Sequence, residues 1–132
     1  MAYYWRQMFN TAGESTTLAA LNQGTSAATN PFPPPVNGRL LKVVVLIGYE
    51  AATSLVEDVR IELTCTLWTP NRLEFFGAGA GLHTAPGGVA PMLAVHDVDQ
   101  PVRTDTTIDG NYIHDSGVPV TSRIRVFGMF SG

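Results

Sequence analysis

The stretch Val59-Arg-Ile-Glu-Leu-Thr-Cys-Thr-Leu-Trp68 decides the fold class. Val59, Ile61, Leu63, Cys65 and Leu67 alternate with Arg60, Glu62, Thr64, Thr66 and Trp68. A period of two is the spacing at which successive side chains of a β-strand point to opposite faces. The segment therefore predicts a half-buried strand, with the first set facing a core and Arg60, Glu62 and Thr64 facing away. Cys65 falls on the apolar side, where a lone thiol is a small buried hydrophobe. As the only cysteine it rules out an intrachain disulfide and a cysteine-rich zinc site.

Working outward, Leu40 to Tyr49 is a nearly continuous apolar run containing Val43, Val44, Val45, Leu46 and Ile47. It is short and rich in β-branched residues, which predicts a strand covered on both faces. Thr69-Pro70-Asn71 turns the chain, and Leu73 to Phe76 begins another strand. A long glycine- and proline-rich loop over 77–91 follows, with the character of a contact surface. Further strands are expected over Met92–Val98 and over Thr106–Ile108 and Tyr112–Ile113, the last two joined by a tight turn at Asp109-Gly110. In the closing segment Thr121–Phe130, Ile124, Val126, Gly128 and Phe130 share one face, and Arg123, Arg125, Phe127 and Met129 the other. No helical periodicity longer than two turns is present. With a doubtful strand at Thr16–Leu21, eight strands are expected, an all-β sandwich or barrel.

Residues 1–37 read as an extended N-terminal arm with at most one strand, and 38–132 as the sandwich domain. The arm carries Tyr3, Tyr4, Trp5 and Phe9, and ends in Asn30-Pro-Phe32-Pro33-Pro34-Pro35. Proline at that density favours an extended, polyproline-like conformation and keeps out of a sheet interior. The aromatics have two destinations, their own subunit or a neighbour. Tyr3, Tyr4, Trp5, Phe9, Phe32, Pro33, Pro34 and Pro35 are therefore the candidate subunit-interface residues.

The 132 residues make one domain with enough apolar content, 45%, for a core. The charged fraction is only 14%, against roughly 25% in an average soluble domain. Lys42 is the single lysine among eight basic residues. Such a surface predicts contacts with other chains, although a GC-rich genome gives the same bias toward Arg, Ala, Gly and Val. The net charge of −3 and the absence of a basic run beyond Arg123 and Arg125 argue against a sequence-specific nucleic-acid surface. The first residues, MAYYWRQMFN, lack the apolar h-region and small-residue cleavage site of a signal peptide, and no apolar run nears the roughly 18 residues of a transmembrane segment, so synthesis and folding in the cytoplasm are expected.

Catalytic parts are missing. His83, His96 and His114 lie in separate segments without the i, i+2 or i, i+4 spacing of a metal motif. The His-x-His pair of a cupin is absent. Gly77 to Gly81 lacks the lysine and helix of a phosphate loop. Asp97 and Asp99 lie two apart at a strand end, a placement that suits a calcium ion or the ordinary capping of turns. No enzyme and no cofactor are expected.

The strand order, the turn chemistry, the ending Thr121-Ser-Arg-Ile-Arg-Val-Phe-Gly-Met-Phe130 and the passage Val95-His-Asp-Val-Asp-Gln-Pro-Val102 resemble the single jelly-roll capsid proteins of tailless icosahedral viruses. The resemblance covers residues 38–132 and implies an eight-stranded antiparallel jelly-roll sandwich located in the virion. It implies self-assembly with copies of itself and with other virion proteins, helped by a proline-rich arm. The chain is shorter than most major capsid proteins, which leaves a minor capsid, cement or fibre role open. A carbohydrate- or receptor-binding β-sandwich of a phage fibre is the second reading, with Trp68 as its candidate contact.

Overall fold

The computed structural model describes residues 2–23, 31–49, 59–77, 92–115 and 121–132. Most of the expected contact loop over 77–91, His83 included, lies outside the described residues. Eight strands run in chain order: β1 (Tyr3–Gly13), β2 (Ala19–Ala20), β3 (Gly38–Tyr49), β4 (Val59–Thr64), β5 (Arg72–Gly77), β6 (Met92–Val102), β7 (Asp109–His114) and β8 (Ser122–Ser131). Among the described residues no helix is long and apolar enough to cross a membrane.

The strands form two four-stranded antiparallel sheets, β1-β8-β3-β6 and β2-β7-β4-β5. The order follows from folding the chain back on itself between β4 and β5. That fold pairs β1 with β8, β2 with β7, β3 with β6 and β4 with β5. Rolling the doubled ribbon then brings β8 against β3 and β7 against β4. The result is a jelly roll, two Greek keys closed face to face.

Side-chain alternation fills the space between the sheets. Val43, Val45 and Ile47 of β3, with Ile124, Val126 and Phe130 of β8, meet Ile61 and Leu63 of β4, Phe75 of β5 and Tyr112 of β7 in one buried cluster. Each buried aliphatic or aromatic side chain contributes about 1.5–3 kcal/mol by leaving water. The β8 face expected from Ile124, Val126, Gly128 and Phe130 is buried throughout.

Four expectations need correction. Residues 1–37 contain two strands rather than at most one, and β1 pairs with β8 from Tyr3 to Gly13. Its buried Met8, Phe9 and Thr11 supply an inward face that the polar composition around them conceals. The sandwich therefore draws its first two strands from before residue 38. Second, Asp109-Gly110 is no turn: both residues begin β7, opposite Thr64 and Leu63 of β4. Gly110 is needed there for close approach, because a Cβ would lie 2.7 Å from the Phe9 ring. Third, β4 ends at Thr64, and the chain turns so that Trp68 is buried while Leu67 is only partly so. Glu62 keeps the face away from Ile61 and Leu63, as expected, yet is only 7% exposed; it sits mid-sheet between Asn111 and Glu74, with Arg72 bridging the two glutamates. Fourth, β3 is fully covered on one face only: Val44 and Leu46 are half-buried.

Candidate subunit interface

The first strand changes character along its length. A β-bulge between Gln7 and Phe9 shifts the register against β8. The extra residue lets consecutive Met8 and Phe9 both turn inward, as bulges commonly re-aim side chains. Beyond the bulge the strand belongs to the core. Phe9 packs edge-on against Phe32, centroids 6.5 Å apart, and Phe32 lies 6.1 Å from Phe130. Reciprocal backbone bonds of 2.8 and 2.9 Å join Phe32 to Ile108. Pro34 is buried, Pro35 half-buried and Pro33 exposed. Phe9, fully buried, is thus a core residue and not the interface residue that the sequence suggested, because the bulge turns it toward Gly110. Phe32 and Pro34 are likewise spent on their own subunit.

Before the bulge the strand is open. Tyr3 and Trp5 are 60% and 51% exposed, Arg6 and Gln7 are exposed, and Tyr4 is half-buried. The Arg6 guanidinium lies 5.4 Å from the Tyr4 ring centre.

Register carries the exposed aromatics onto a larger surface. Trp5 lies beside Met129, which lies beside Lys42 and then Asp97; Gln7 lies beside Phe127, then Val44, then Val95. Arg125 and Leu46 continue the same face. Val95 is 56% exposed, and Val44, Leu46, Phe127 and Met129 are half-buried. The outer face of the β1-β8-β3-β6 sheet is therefore an apolar band running across four strands. The sequence held its pieces, with Phe127 and Met129 already placed on one face of β8. Their union with Trp5 and Val44 depends on strand neighbours far apart in sequence.

Ion pairs border the band. Lys42 pairs with Asp97 and Arg39 with Asp99, and Arg39 Nη2 also donates to the Asp99 carbonyl at 2.8 Å. Asp99 adopts a left-handed backbone, φ 50°, at the irregularity where β3 and β6 shift register. These pairs are exposed, a setting in which ion pairs contribute little to stability. They also give Asp97 and Asp99 cations from β3, which meet the charge that made calcium a candidate.

The remaining candidates are dispersed. His114 is buried: its Nδ1 accepts from the Ser15 N–H at 3.2 Å, which puts the ring proton on Nε2, 3.0 Å from Ser122 Oγ. His96 packs on Phe75, centroids 4.8 Å apart, and burial lowers its pKa below the usual 6.5. Burial, with the charge of Glu14 second, raises the pKa of Tyr112. Trp68, the candidate sugar contact, is 3% exposed, and its Nε1–H donates to the Pro101 carbonyl at 2.9 Å. An open cleft of about 440 Å³ is lined by Thr64, Thr66, Asn71, Asp105, Thr107 and Asp109 among others, gathering hydroxyls, an amide and two carboxylates.

No protein-family model matches the sequence, and no curated protein matches it. Among solved structures, the chain is similar to the VP2 subviral particle of infectious bursal disease virus, with a TM-score of 0.51 at 13% identity. The likeness is one of fold. It extends over 99% of this chain and 33% of the virus protein. A structure of the Gx strain of the same virus gives a TM-score of 0.47 at 12% identity, over 98% and 32% of the two chains. The chain spans about a third of the length of the chains in these two structures.

Proposed function

We propose that the chain is a structural subunit of a virus particle, a major or minor capsid component that assembles with copies of itself and with other virion proteins, and that it has no catalytic role. The observation that carries this reading is the outer face of the β1-β8-β3-β6 sheet. The jelly roll completes its core without that face, yet leaves Trp5 and Val95 more than half exposed on a band shared by four strands. Contiguous apolar surface of this kind marks interaction sites. The jelly-roll likeness to a protein solved as a subviral particle supports the same reading.

The low charged fraction agrees with it, since a free monomer keeps its surface wet with mixed charges. The test is the native mass of the purified chain by light scattering at micromolar concentration and physiological salt. Discrete oligomers or particles are expected. A monodisperse species at the chain mass of 14.2 kDa would overturn the reading.

A further inference from the structure

The open half of β1 carries a pairing site of its own. Gly132 N–H donates to the Ala2 carbonyl at 3.2 Å, extending the β1–β8 ladder, whose register places Tyr4 opposite Phe130 and Arg6 opposite Gly128. In an antiparallel pair, hydrogen-bonded and non-bonded positions alternate. Ala2, Tyr4 and Arg6 therefore direct their backbone groups at β8, while Tyr3, Trp5 and Gln7 direct theirs at the free edge. Past the bulge the phase changes, and there the edge is closed: Asn10 N–H donates to the Asn22 carbonyl at 2.7 Å. Among the described residues only Arg6 reaches the open portion, its Nη1 donating to the Trp5 carbonyl at 3.0 Å.

The other sheet edges are protected in ways this one is not. β6 presents Asp97 and Asp99 with their ion pairs, β5 presents Arg72 and Glu74, and β2 has two residues. Charges and short length are the usual means of keeping edges from pairing. Residues 3–7 of β1 instead carry three aromatics and one arginine.

We propose that this edge pairs with the same edge of a second copy, antiparallel about a two-fold axis at Trp5. The proposal rests on the reading of the chain as a self-assembling subunit and names one of its contacts. The two-fold centred on Trp5 makes both faces complementary. On the outer face Trp5 meets the partner's Trp5, and Tyr3 meets the partner's Gln7. On the other face Arg6 meets the partner's Tyr4, repeating between copies the cation–ring contact each copy already makes within itself. Arg6 leaves the Trp5 carbonyl, and the N–H of the partner's Trp5 takes its place. Cross-strand aromatic pairs stabilise such ladders, and an isologous contact is the geometry of a closed dimer. The two four-stranded sheets become one of eight strands.

Cysteine cross-linking of the full chain tests the register. Directly opposed hydrogen-bonded residues have Cα atoms about 5.5 Å apart, within the span of a disulfide. W5C is expected to oxidise to a species of twice the 14.2 kDa chain mass. Y3C and Q7C alone are expected to stay single, because each lies more than about 13 Å from its own copy along the strands. The double variant Y3C/Q7C should cross-link again. Cys65 is buried, and the unsubstituted chain serves as its control. A second variant, Trp5→Pro, removes the edge-directed N–H and leaves the β8 ladder whole; loss of the dimeric contact by light scattering is expected, with the β-sheet circular dichroism unchanged. Equal cross-linking by all single variants, or an unlinked W5C, overturns the proposal, as does a Trp5→Pro chain that still dimerises. If particles form while W5C stays unlinked, the shell reading survives and the β1 contact falls. If the unsubstituted chain is itself a monomer, both fall.

Discussion

Gly110 and Leu63 face each other across β7 and β4, and the space that Gly110 leaves empty is filled by the Phe9 ring. Gly110→Ala puts a methyl 2.7 Å from that ring and 3.0 Å from Leu21 Cδ1. The expected cost is about 1–3 kcal/mol, typical of overpacking, read as a lower urea midpoint. Leu63→Ala removes a fully buried side chain and is expected to cost about 2–5 kcal/mol. A loss under about 0.5 kcal/mol, the size of a surface substitution, would contradict the burial. His96 makes stability depend on pH. Its Nε2 is buried without a hydrogen-bond partner, and desolvation lowers its pKa from 6.5. Below pH 6.5 the unfolded ring binds a proton that the folded ring resists, so stability rises with pH there. The contribution is present above pH 6.5 and lost as pH falls through the lowered value. The melting temperature should drop between pH 7 and 5, and His96→Phe should flatten part of that drop. An unchanged slope would assign it wholly to carboxylates.

At the scale of elements, β1 is where the sequence and the structure differ most. Its period-two pattern is broken at the bulge, so Met8 and Phe9 face the core together and the local alternation averages out. By contrast, β4 and β8 were legible because each keeps an unbroken parity over the residues that pack inward. The Asp109-Gly110 pair misled for a related reason: glycine serves both tight turns and close packing, and only the position of Phe9 distinguishes them. Read from sequence, the arm matters more for assembly than for folding. Beyond residue 7, however, its first strand pairs with β8 and buries Phe9 and Thr11. Deleting residues 1–36 removes β1, β2 and the Phe32–Ile108 bridge, exposing β8 and β7 as edges; loss of the cooperative melt by circular dichroism is expected. Phe9→Ala alone should cost about 3–5 kcal/mol. A truncated chain that still melts cooperatively would return β1 to the role of a connector.

Across the whole molecule, the two faces of one sheet divide the work: one packs into the core, and the proposed association uses the other. Phe127 shares a strand with Val126, but lies on the outer band while Val126 lies in the core. Phe127→Glu is therefore expected to shift association strongly and the melting temperature little. Light scattering and thermal circular dichroism on the same sample check both halves; a collapse of the melt would show that the outer face supports the fold itself. Because the band is apolar, sulfate should promote association, since excluded salts strengthen apolar burial. Contacts made chiefly by ion pairs would instead weaken with added salt.

By itself the sequence determined the strand class, most strand positions, the inward faces of β4 and β8, and the shortage of charge that points to contacts between chains. These are local properties, set by side-chain alternation and composition. Only the tertiary structure decided that β1 belongs to the sandwich, that Phe9 and Trp68 are core residues, and that Trp5, Met129, Phe127, Val44 and Val95 form one surface. Those outcomes depend on which strands lie side by side. In a jelly roll the neighbours are drawn from opposite ends of the chain, β1 against β8 and β3 against both β8 and β6, and no local pattern encodes such a pairing.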